Sequence, residues 1–293
     1  MKKLMIATAA LCAAVSVNAL ESANTVGYTI DKAANNTWKA SATPFESTTG
    51  ASIDLQTLFS GFSTDVYFDD DQVDFKTIAP CVQVQNRDAQ GRITGVLTKY
   101  YYVADAGWDA GYTDIRPGWV NASGDALGGE NAAAVLLAPG TGFWFKDAQQ
   151  ACDLTFAGQV VDENSAQVTT VADLWNAICN PFPEDVALNS AKVVWGSMTQ
   201  ADFDNDQVDF KTVAPCVQIQ ERDASGNITG VLKKYYYVQD AGWDAGYTDI
   251  RPGWANASGD ALGGENAAAV TVKAGEGFWF RDPSSNATVT FSK

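Results

Sequence analysis

The chain has 293 residues, with 35 acidic against 19 basic side chains, a formal net charge of −16 and no histidine. Without histidine it has no Ser-His-Asp or Cys-His catalytic group and no imidazole-bound metal. The acid excess also excludes the clustered Lys and Arg that bind the phosphates of nucleic acid. With 46% hydrophobic residues there is ample material for a core, and the length suits two domains of about 150 residues.

The first segment has the pattern of an export signal. Two lysines precede an apolar stretch at residues 4–17 that is too short to span a bilayer, and a Val-Asn-Ala triplet follows. We predict a signal peptide at residues 1–19, cleaved after Ala19. No later stretch is long and apolar enough for a membrane helix. We therefore expect an exported protein without a membrane span, at an extracellular, cell-surface or periplasmic location.

A tandem repeat accounts for most of the remaining chain. Residues 68–147 and 203–282 are related by a constant offset of 135 and are identical at 65 of 80 positions. Upstream of these segments the copies are much less alike. A unit of this length is too large for a solenoid repeat and large enough to fold alone. We therefore expect two domains, at residues 20–158 and 159–293, called repeat 1 and repeat 2 below.

The first elements predicted in repeat 1 are a strand at residues 38–42 and a short helix at residues 53–59. An acidic run follows and recurs in repeat 2, and its alternating carboxylates invite comparison with a calcium loop. The match is weak because the run lacks the Gly of the sharp turn, and a solvated acidic edge that discourages strand pairing explains it more simply. We expect no metal site and no cofactor. The weak calcium ligands are Asp69, Asp71, Asp204 and Asp206.

A β-hairpin comes next. Residues 82–85 alternate Val with Gln, which predicts a strand with one apolar and one polar face, and Asp88 with a Gly three residues later signals the turn. Within residues 82–96 the differences between the two copies concentrate around this turn. The aromatic run at residues 100–103 is typical of a strand with β-formers on both faces.

The stretch that follows is rich in Gly, Trp and Asp and recurs nearly verbatim in repeat 2. Exposed aromatic rings on such a loop stack on sugar rings, while carboxylates accept the sugar hydroxyls. The commoner alternative is that the rings pin the loop onto the sheet as part of the core. The candidate ligand-binding residues are Trp108, Tyr112, Trp119, Asp105, Asp109 and Asp114 in repeat 1, with Trp243, Tyr247, Trp254, Asp240, Asp244 and Asp249 in repeat 2.

Further strands are predicted at residues 132–137, 142–146 and 154–160, and residues 170–178 suit either a helix or a strand. The Phe-Trp-Phe run within residues 142–146 is assigned to the core, because an uninterrupted apolar run suits a buried strand. Short strands punctuated by Gly, Pro and Asp indicate an all-β protein of two tandem duplicated β-sandwich-like domains with Greek-key connections.

The order of the motifs resembles a known group of proteins. Repeat 1 runs from a Trp-x-Ala strand ending in Pro-Phe, through Gln-Val-Gln, Tyr-Tyr-Tyr, Gly-Trp and Pro-Gly-Trp, to Pro-Gly-Thr-Gly-Phe-Trp-Phe at residues 139–145. Repeat 2 reads Ala-Gly-Glu-Gly at the start of that last element. This order resembles uncharacterised secreted β-repeat proteins of planctomycete, verrucomicrobium and chlamydia-type bacteria. The resemblance implies export and a β fold, and it carries no functional residue over.

Beyond the predicted signal peptide the chain contains four cysteines. Export permits disulfides, and two cysteines per repeat favour bonds within each repeat. A bond between the repeats and free buried thiols remain open alternatives. The pairs favoured are Cys81 with Cys152 and Cys179 with Cys216, and the alternative bond joins Cys152 to Cys179.

The function expected from the sequence is structural. We predict a secreted, non-catalytic protein with two tandem β domains that acts as a structural or interaction component at the cell surface or outside the cell. Its partners would be surface polysaccharide or other envelope proteins. The alternative is a carbohydrate-binding protein that uses one aromatic loop per domain. Paired carboxylates permit glycoside hydrolysis without histidine, but a nearly verbatim duplication suits binding modules better than one catalytic cleft.

Overall fold

The computed structural model describes twelve stretches of the chain, and strands dominate them. The all-β expectation is confirmed. The predicted signal peptide at residues 1–19 lies outside the described residues. The described stretches are residues 26–42, 44–46, 52–59, 75–103, 118–123, 126–131, 136–161, 164–201, 210–238, 253–258, 261–266 and 271–293.

Repeat 1 contributes strands β1–β11 and one turn of helix, α1 (Leu55–Leu58). The Asp54 carboxylate caps this turn by accepting a hydrogen bond from the backbone N–H of Thr57 at 2.9 Å. The helix predicted at residues 53–59 is therefore a single turn. The strands are β1 (Val26–Ala33), β2 (Lys39–Ala42), β3 (Phe45–Glu46), β4 (Ile53–Asp54), β5 (Cys81–Arg87), β6 (Ile93–Val103), β7 (Gly118–Ser123), β8 (Ala126–Asn131), β9 (Leu136–Leu137), β10 (Gly142–Lys146) and β11 (Cys152–Val160).

Repeat 2 contributes strands β12–β22. Short 3-10 turns at Phe75–Thr77 and Phe210–Thr212 precede the equivalent long hairpins of the two repeats. The stretch at residues 170–178 ends in a strand. The strands are β12 (Ser165–Thr169), β13 (Asn176–Cys179), β14 (Val186–Ala187), β15 (Val193–Gly196), β16 (Cys216–Arg222), β17 (Ile228–Val238), β18 (Gly253–Ser258), β19 (Ala261–Asn266), β20 (Thr271–Val272), β21 (Gly277–Arg281) and β22 (Thr288–Ser292).

The strand order of the largest sheet is the same in both repeats. Repeat 1 forms a six-stranded sheet in the order β2-β10-β5-β6-β7-β8, and repeat 2 forms the equivalent sheet β13-β21-β16-β17-β18-β19. Each repeat also has a three-stranded sheet, β1-β11-β3 or β12-β22-β15, and a two-stranded sheet, β4-β9 or β14-β20. In every described strand pair the two strands are antiparallel.

The hairpin between β5 and β6 forms where the sequence predicts it. One carboxylate oxygen of Asp88 accepts hydrogen bonds from the backbone N–H groups of Gln90 and Arg92, each at 2.9 Å. Gly91 has a φ of +78°, in the region that favours glycine. Asp223 holds the equivalent turn of repeat 2 in the same way. The sequence differences between the copies fall on exposed positions of this turn, where packing imposes little.

Each repeat has a core of its own. In repeat 1 the core combines Leu154 and Phe156 from the three-stranded sheet with Val82, Phe143 and Phe145 from the six-stranded sheet. The cluster in repeat 2 contains the equivalent side chains and is centred on aromatic rings. The two phenylalanines of the Phe-Trp-Phe run are therefore core residues, as predicted. The prediction was wrong for the tryptophan between them, because Trp144 and its equivalent Trp279 are only partly buried and lie outside both core clusters.

A fully buried tryptophan lies at the centre of each core. Trp254 in repeat 2 is 0% exposed and meets the Trp195 ring edge-on at 4.7 Å and the Tyr237 ring at 5.5 Å. In repeat 1 Trp119 is equally buried, and Phe59 packs against it at 4.9 Å. Each core therefore depends on aromatic packing around one indole.

Replacing this indole tests its place in the core. We expect Trp254→Ala to lower the free energy of unfolding by about 3–5 kcal/mol, because it removes buried contacts and leaves a cavity. Urea unfolding followed by circular dichroism measures the change. The control is Val231→Ala, at a side chain that is 51% exposed, with an expected change of no more than about 0.5 kcal/mol. Equal changes in the two variants would contradict the assignment.

Candidate functional site

Two of the predicted ligand-binding rings lie in the core. Trp119 and Trp254 are fully buried, so the prediction that they stack on a sugar is wrong. Each ring belongs to a residue of a strand, β7 or β18, and is part of the core cluster of its repeat. The other candidates lie outside the described residues: Trp108, Tyr112, Asp105, Asp109, Asp114, Trp243, Tyr247, Asp240, Asp244 and Asp249, together with the acidic residues Asp69, Asp71, Asp204 and Asp206.

The structure contains neither of the two favoured disulfides, and all four cysteines are free thiols. Cys179 and Cys216 lie on β13 and β16, which β21 separates. Strands two positions apart are about 9–10 Å from each other, beyond the roughly 7 Å that a disulfide spans between Cα atoms. Cys81 and Cys152 lie on different sheets. The predicted disulfides within each repeat are therefore wrong, and the structure has the free thiols of the alternative prediction.

Burial changes the chemistry of these thiols. It raises the pKa of Cys81, Cys152 and Cys216 to about 12, because a thiolate loses its hydration inside the protein. The pKa of Cys179 is raised for the same reason. Since the thiolate is the reactive form, these side chains are unreactive near neutral pH.

The two repeats join along backbone, in a contact between β2 and β10 of repeat 1 and β13 and β21 of repeat 2 that we call the seam. The N–H of Ala42 donates to the carbonyl of Gly275 at 2.9 Å, and the N–H of Cys179 donates to the carbonyl of Gly140 at 3.0 Å. Isolated bridges pair Ser41 with Glu276 and Thr141 with Ile178. These four contacts form two equivalent pairs, one on each side of the seam.

Two buried glutamines complete these contacts. The side-chain amide of Gln220 donates to the carbonyl of Trp38 and accepts from the N–H of Ala40, both at 2.6 Å. On the other side, Gln85 donates to the carbonyl of Trp175 at 2.5 Å and accepts from the N–H of Ala177 at 2.7 Å. Each amide therefore takes the place of a peptide group beside the edge strand of the other repeat. We call this arrangement the glutamine clamp.

Close backbone approach and ring stacking also mark the seam. A Cβ atom added to Gly277 would lie 2.7 Å from the carbonyl oxygen of Ser41, so only glycine fits there. Gly142 meets the backbone of Ala177 in the same way at 3.0 Å. Trp144 and Trp279 stack at 5.5 Å with 27° between their planes. The seam is therefore a tightly packed contact with approximate twofold symmetry.

Two grooves flank the seam. Groove 1 has a volume of about 740 Å³ and lies between the β5–β6 hairpin, the turn at residues 138–141, and the β12 edge of repeat 2. Groove 2, of about 410 Å³, lies between the β16–β17 hairpin of repeat 2 and residues 32–35 and 151–153 of repeat 1. Groove 1 contains Arg87, Arg92 and Asp88. The hydrogen bond from the backbone of Arg92, and then that residue's guanidinium, hold the pKa of Asp88 below its usual range.

The sequence analysis missed both glutamines of the clamp. Alternation with Val placed Gln85 on a polar face, which predicts exposure, yet Gln85 is 7% and Gln220 6% exposed. A signal was present in the repeat comparison, because the neighbouring Asn86 becomes Glu221 while the glutamine is unchanged. That comparison could not reveal a partner 90 residues away.

Several kinds of feature are absent from the part of the chain that the structure describes. Within it, no group of three or more His, Cys, Asp or Glu side chains is placed to hold a metal ion. The helices described there are too short and polar to cross a membrane. Comparisons with protein-family models, curated proteins and solved structures find no match for this chain.

The glutamine clamp is tested by truncating one amide. Gln220→Ala leaves the carbonyl of Trp38 and the N–H of Ala40 buried without their partners, at a cost of about 1–3 kcal/mol for each group. We expect the free energy of unfolding to fall accordingly in urea titrations. The matched control is Gln218→Ala, two residues away on the same strand, which we expect to change stability by no more than about 0.5 kcal/mol. A Gln220 variant as stable as this control would contradict the clamp.

The thiols are tested by their reactivity and by alkaline pH. We expect the mature chain to react slowly with a thiol reagent when folded and to show four reactive thiols in denaturant. Because burial raises the pKa of Cys81 and Cys216 to about 12, the unfolded chain loses these protons first, near pH 8.5. The free energy of unfolding should therefore fall as pH rises from about 9 to 12.

A Cys81→Ala, Cys216→Ala variant isolates this effect from other alkaline titrations. Its stability should decline less steeply over the same pH range than that of the unaltered chain. Two or fewer reactive thiols in denaturant, or identical slopes in the two proteins, would contradict the assignment of free buried thiols.

Proposed function

We propose that the protein is a secreted, non-catalytic component of the cell surface or the extracellular space, built from two duplicated β-sandwich domains with Greek-key connections. The observation that carries this proposal is the glutamine clamp. It joins the sheet edges of the two repeats through hydrogen bonds between glutamine side-chain amides and backbone groups. A protein held together in this way acts as one stiff unit, which suits a structural or scaffolding part.

Three further observations support the proposal. Core side chains of each repeat come from both its three-stranded and its six-stranded sheet, as in a sandwich. The pattern of residues 1–19 favours export. The order of motifs in each repeat resembles the secreted β-repeat proteins of planctomycete and verrucomicrobium-type bacteria, in which we place this chain. Its partners on this view are other envelope proteins or surface polysaccharide.

The alternative role is carbohydrate binding through one aromatic loop per domain. Two of the rings on which it rested are buried. Trp119 and Trp254 are core residues and offer no stacking surface. The remaining rings, Trp108 and Trp243 among them, lie outside the described residues. No contact among the described residues favours this role over the structural one.

Cell fractionation tests the proposed role. We expect the mature protein, lacking residues 1–19, in the cell-surface fraction and in an assembled form larger than one chain. The measurement is fractionation of the source cells, followed by gel filtration and mass spectrometry of the N-terminus. Recovery of the uncleaved chain in the cytoplasm would contradict export. Recovery of the protein as a monomer in the medium would contradict the proposed structural role.

A binding assay distinguishes carbohydrate binding from the structural role. The purified chain is incubated with neutral polysaccharides, alongside a Trp108→Ala, Trp243→Ala variant whose folding is verified by circular dichroism. We expect no binding by either protein. Binding by the unaltered chain that disappears in the folded variant would establish the carbohydrate-binding role instead.

A further inference from the structure

The two repeats differ in charge at one buried turn beside the seam. Position 141 in repeat 1 is Thr, whereas its equivalent in repeat 2 is Glu276. The turns have the same backbone, since the N–H of Thr141 donates to Ala138 and that of Glu276 to Lys273, both at 3.0 Å. The difference therefore lies in the side chain and in what it offers to the arginine nearby.

In repeat 2 the arginine is neutralised from within the protein. A carboxylate oxygen of Glu276 lies 3.2 Å from the guanidinium of Arg222, and the second oxygen accepts from the N–H of Lys273 at 3.0 Å. Glu276 is 2% exposed. Both partners of this ion pair are thus held by the fold, and the charge of Arg222 is matched from within the protein.

In repeat 1 the equivalent guanidinium is held in the same place without that carboxylate. Arg87 donates to the carbonyl of Gly91 at 2.7 Å, as Arg222 donates to Gly226 at 2.9 Å. Its other amino group meets only the hydroxyl of Thr141, at 3.4 Å. Among the ion pairs of the described residues, none involves Arg87.

Arg87 is an exposed residue that lines groove 1. Its guanidinium is charged at neutral pH, because the ordinary pKa of arginine is far higher. A guanidinium that the fold leaves without a carboxylate partner can form charge-assisted hydrogen bonds with a carboxylate from outside the chain. The protein as a whole carries a charge of −16. A cation without a carboxylate partner is therefore unexpected in this acidic protein.

The rest of the groove 1 lining combines apolar side chains, Ile93, Pro139 and Val168 among them, with neutral polar ones. Arg92 is paired with Asp88 at 2.8 Å, which leaves Arg87 as the excess charge among the lining residues that are described. Exposed amide and hydroxyl groups surround it, and the volume of about 740 Å³ lies within the range of roughly 300–1,000 Å³ typical of small-ligand sites. These neutral groups are Thr94, Gln90, Gln167, Thr169 and Asn286.

We propose that groove 1 binds a uronic acid, with the sugar carboxylate on Arg87 and the sugar hydroxyls on the surrounding amides and hydroxyls. A carboxylate matches the planar guanidinium, and its single negative charge is repelled less by this acidic protein than the nearly double charge of a phosphate monoester. The neutral lining matches a ligand with many hydroxyl groups better than it matches an acidic peptide. This site goes beyond the structural role proposed above and does not depend on it.

The test is a titration of the mature full-length protein with digalacturonic acid, followed by calorimetry, with neutral galactobiose as the matched sugar. We expect digalacturonic acid to bind and galactobiose to bind at least tenfold more weakly. Arg87→Gln and Thr141→Glu should each weaken the binding at least tenfold, the second because it rebuilds the ion pair of repeat 2. Lys233→Gln removes one positive charge from an exposed ion pair elsewhere and should change the affinity less than twofold.

Thr141→Glu is expected to fold because repeat 2 already accommodates glutamate at the same turn. Melting temperatures verify this, and Arg87→Gln provides a second, independent variant. Digalacturonic acid bound no more tightly than galactobiose, or equally by Arg87→Gln and the unaltered chain, would overturn the proposal. Equal affinity for a glutamate dipeptide would also overturn it, by showing that the groove recognises a carboxylate without the sugar.

Discussion

The side-chain amides of Gln85 and Gln220 determine how the two repeats meet. A primary amide carries one carbonyl and one N–H group pointing away from it, so it can replace a peptide group beside a strand. Each glutamine does this for the other repeat's edge strand, β2 or β13. Those edges would otherwise present unpaired backbone groups to any neighbouring chain. Because the same hydrogen bonds close both edges and join both repeats, the seam cannot open without exposing them.

The seam has the symmetry of a homodimer inside a single chain. Each repeat supplies the same glutamine, the same glycine and the same tryptophan, and the two tryptophans stack on one another. In a true twofold dimer, one substitution at such a surface alters two contacts at once. When both repeats belong to a single chain, a substitution alters only one of the two equivalent contacts. Duplication therefore allows Thr141 and Glu276 to differ while the surrounding backbone contacts stay equivalent.

Local features were predictable from the sequence, and long-range pairing was not. The Asp88 turn depends on residues within four positions of one another, so its pattern identified the hairpin. The Phe-Trp-Phe strand followed from its uninterrupted apolar run. Gln85 was placed on an exposed face because a polar residue alternating with valine ordinarily faces water. Its partners lie 90 and 92 residues away, and no local pattern encodes them. The prediction that Trp119 is exposed was wrong for a related reason. The Gly-rich sequence before it indicated an exposed ring, but the ring packs in the core of repeat 1.

Near-identity of the repeats makes their few differences informative about function. Along the seam the groups that bond backbone are the same in both copies, because each is needed for the fold. At the grooves this requirement is relaxed, and there the copies diverge in charge: Arg92 stands where repeat 2 has Asn227, and Thr141 stands where it has Glu276. Both differences make the surroundings of the β5–β6 hairpin more positive than those of the β16–β17 hairpin. The internal ion pair of Arg222 and Glu276 has no equivalent among the described ion pairs of repeat 1. Arg87 is nevertheless held in place by the carbonyl of Gly91, so its charge stays at groove 1 without that carboxylate.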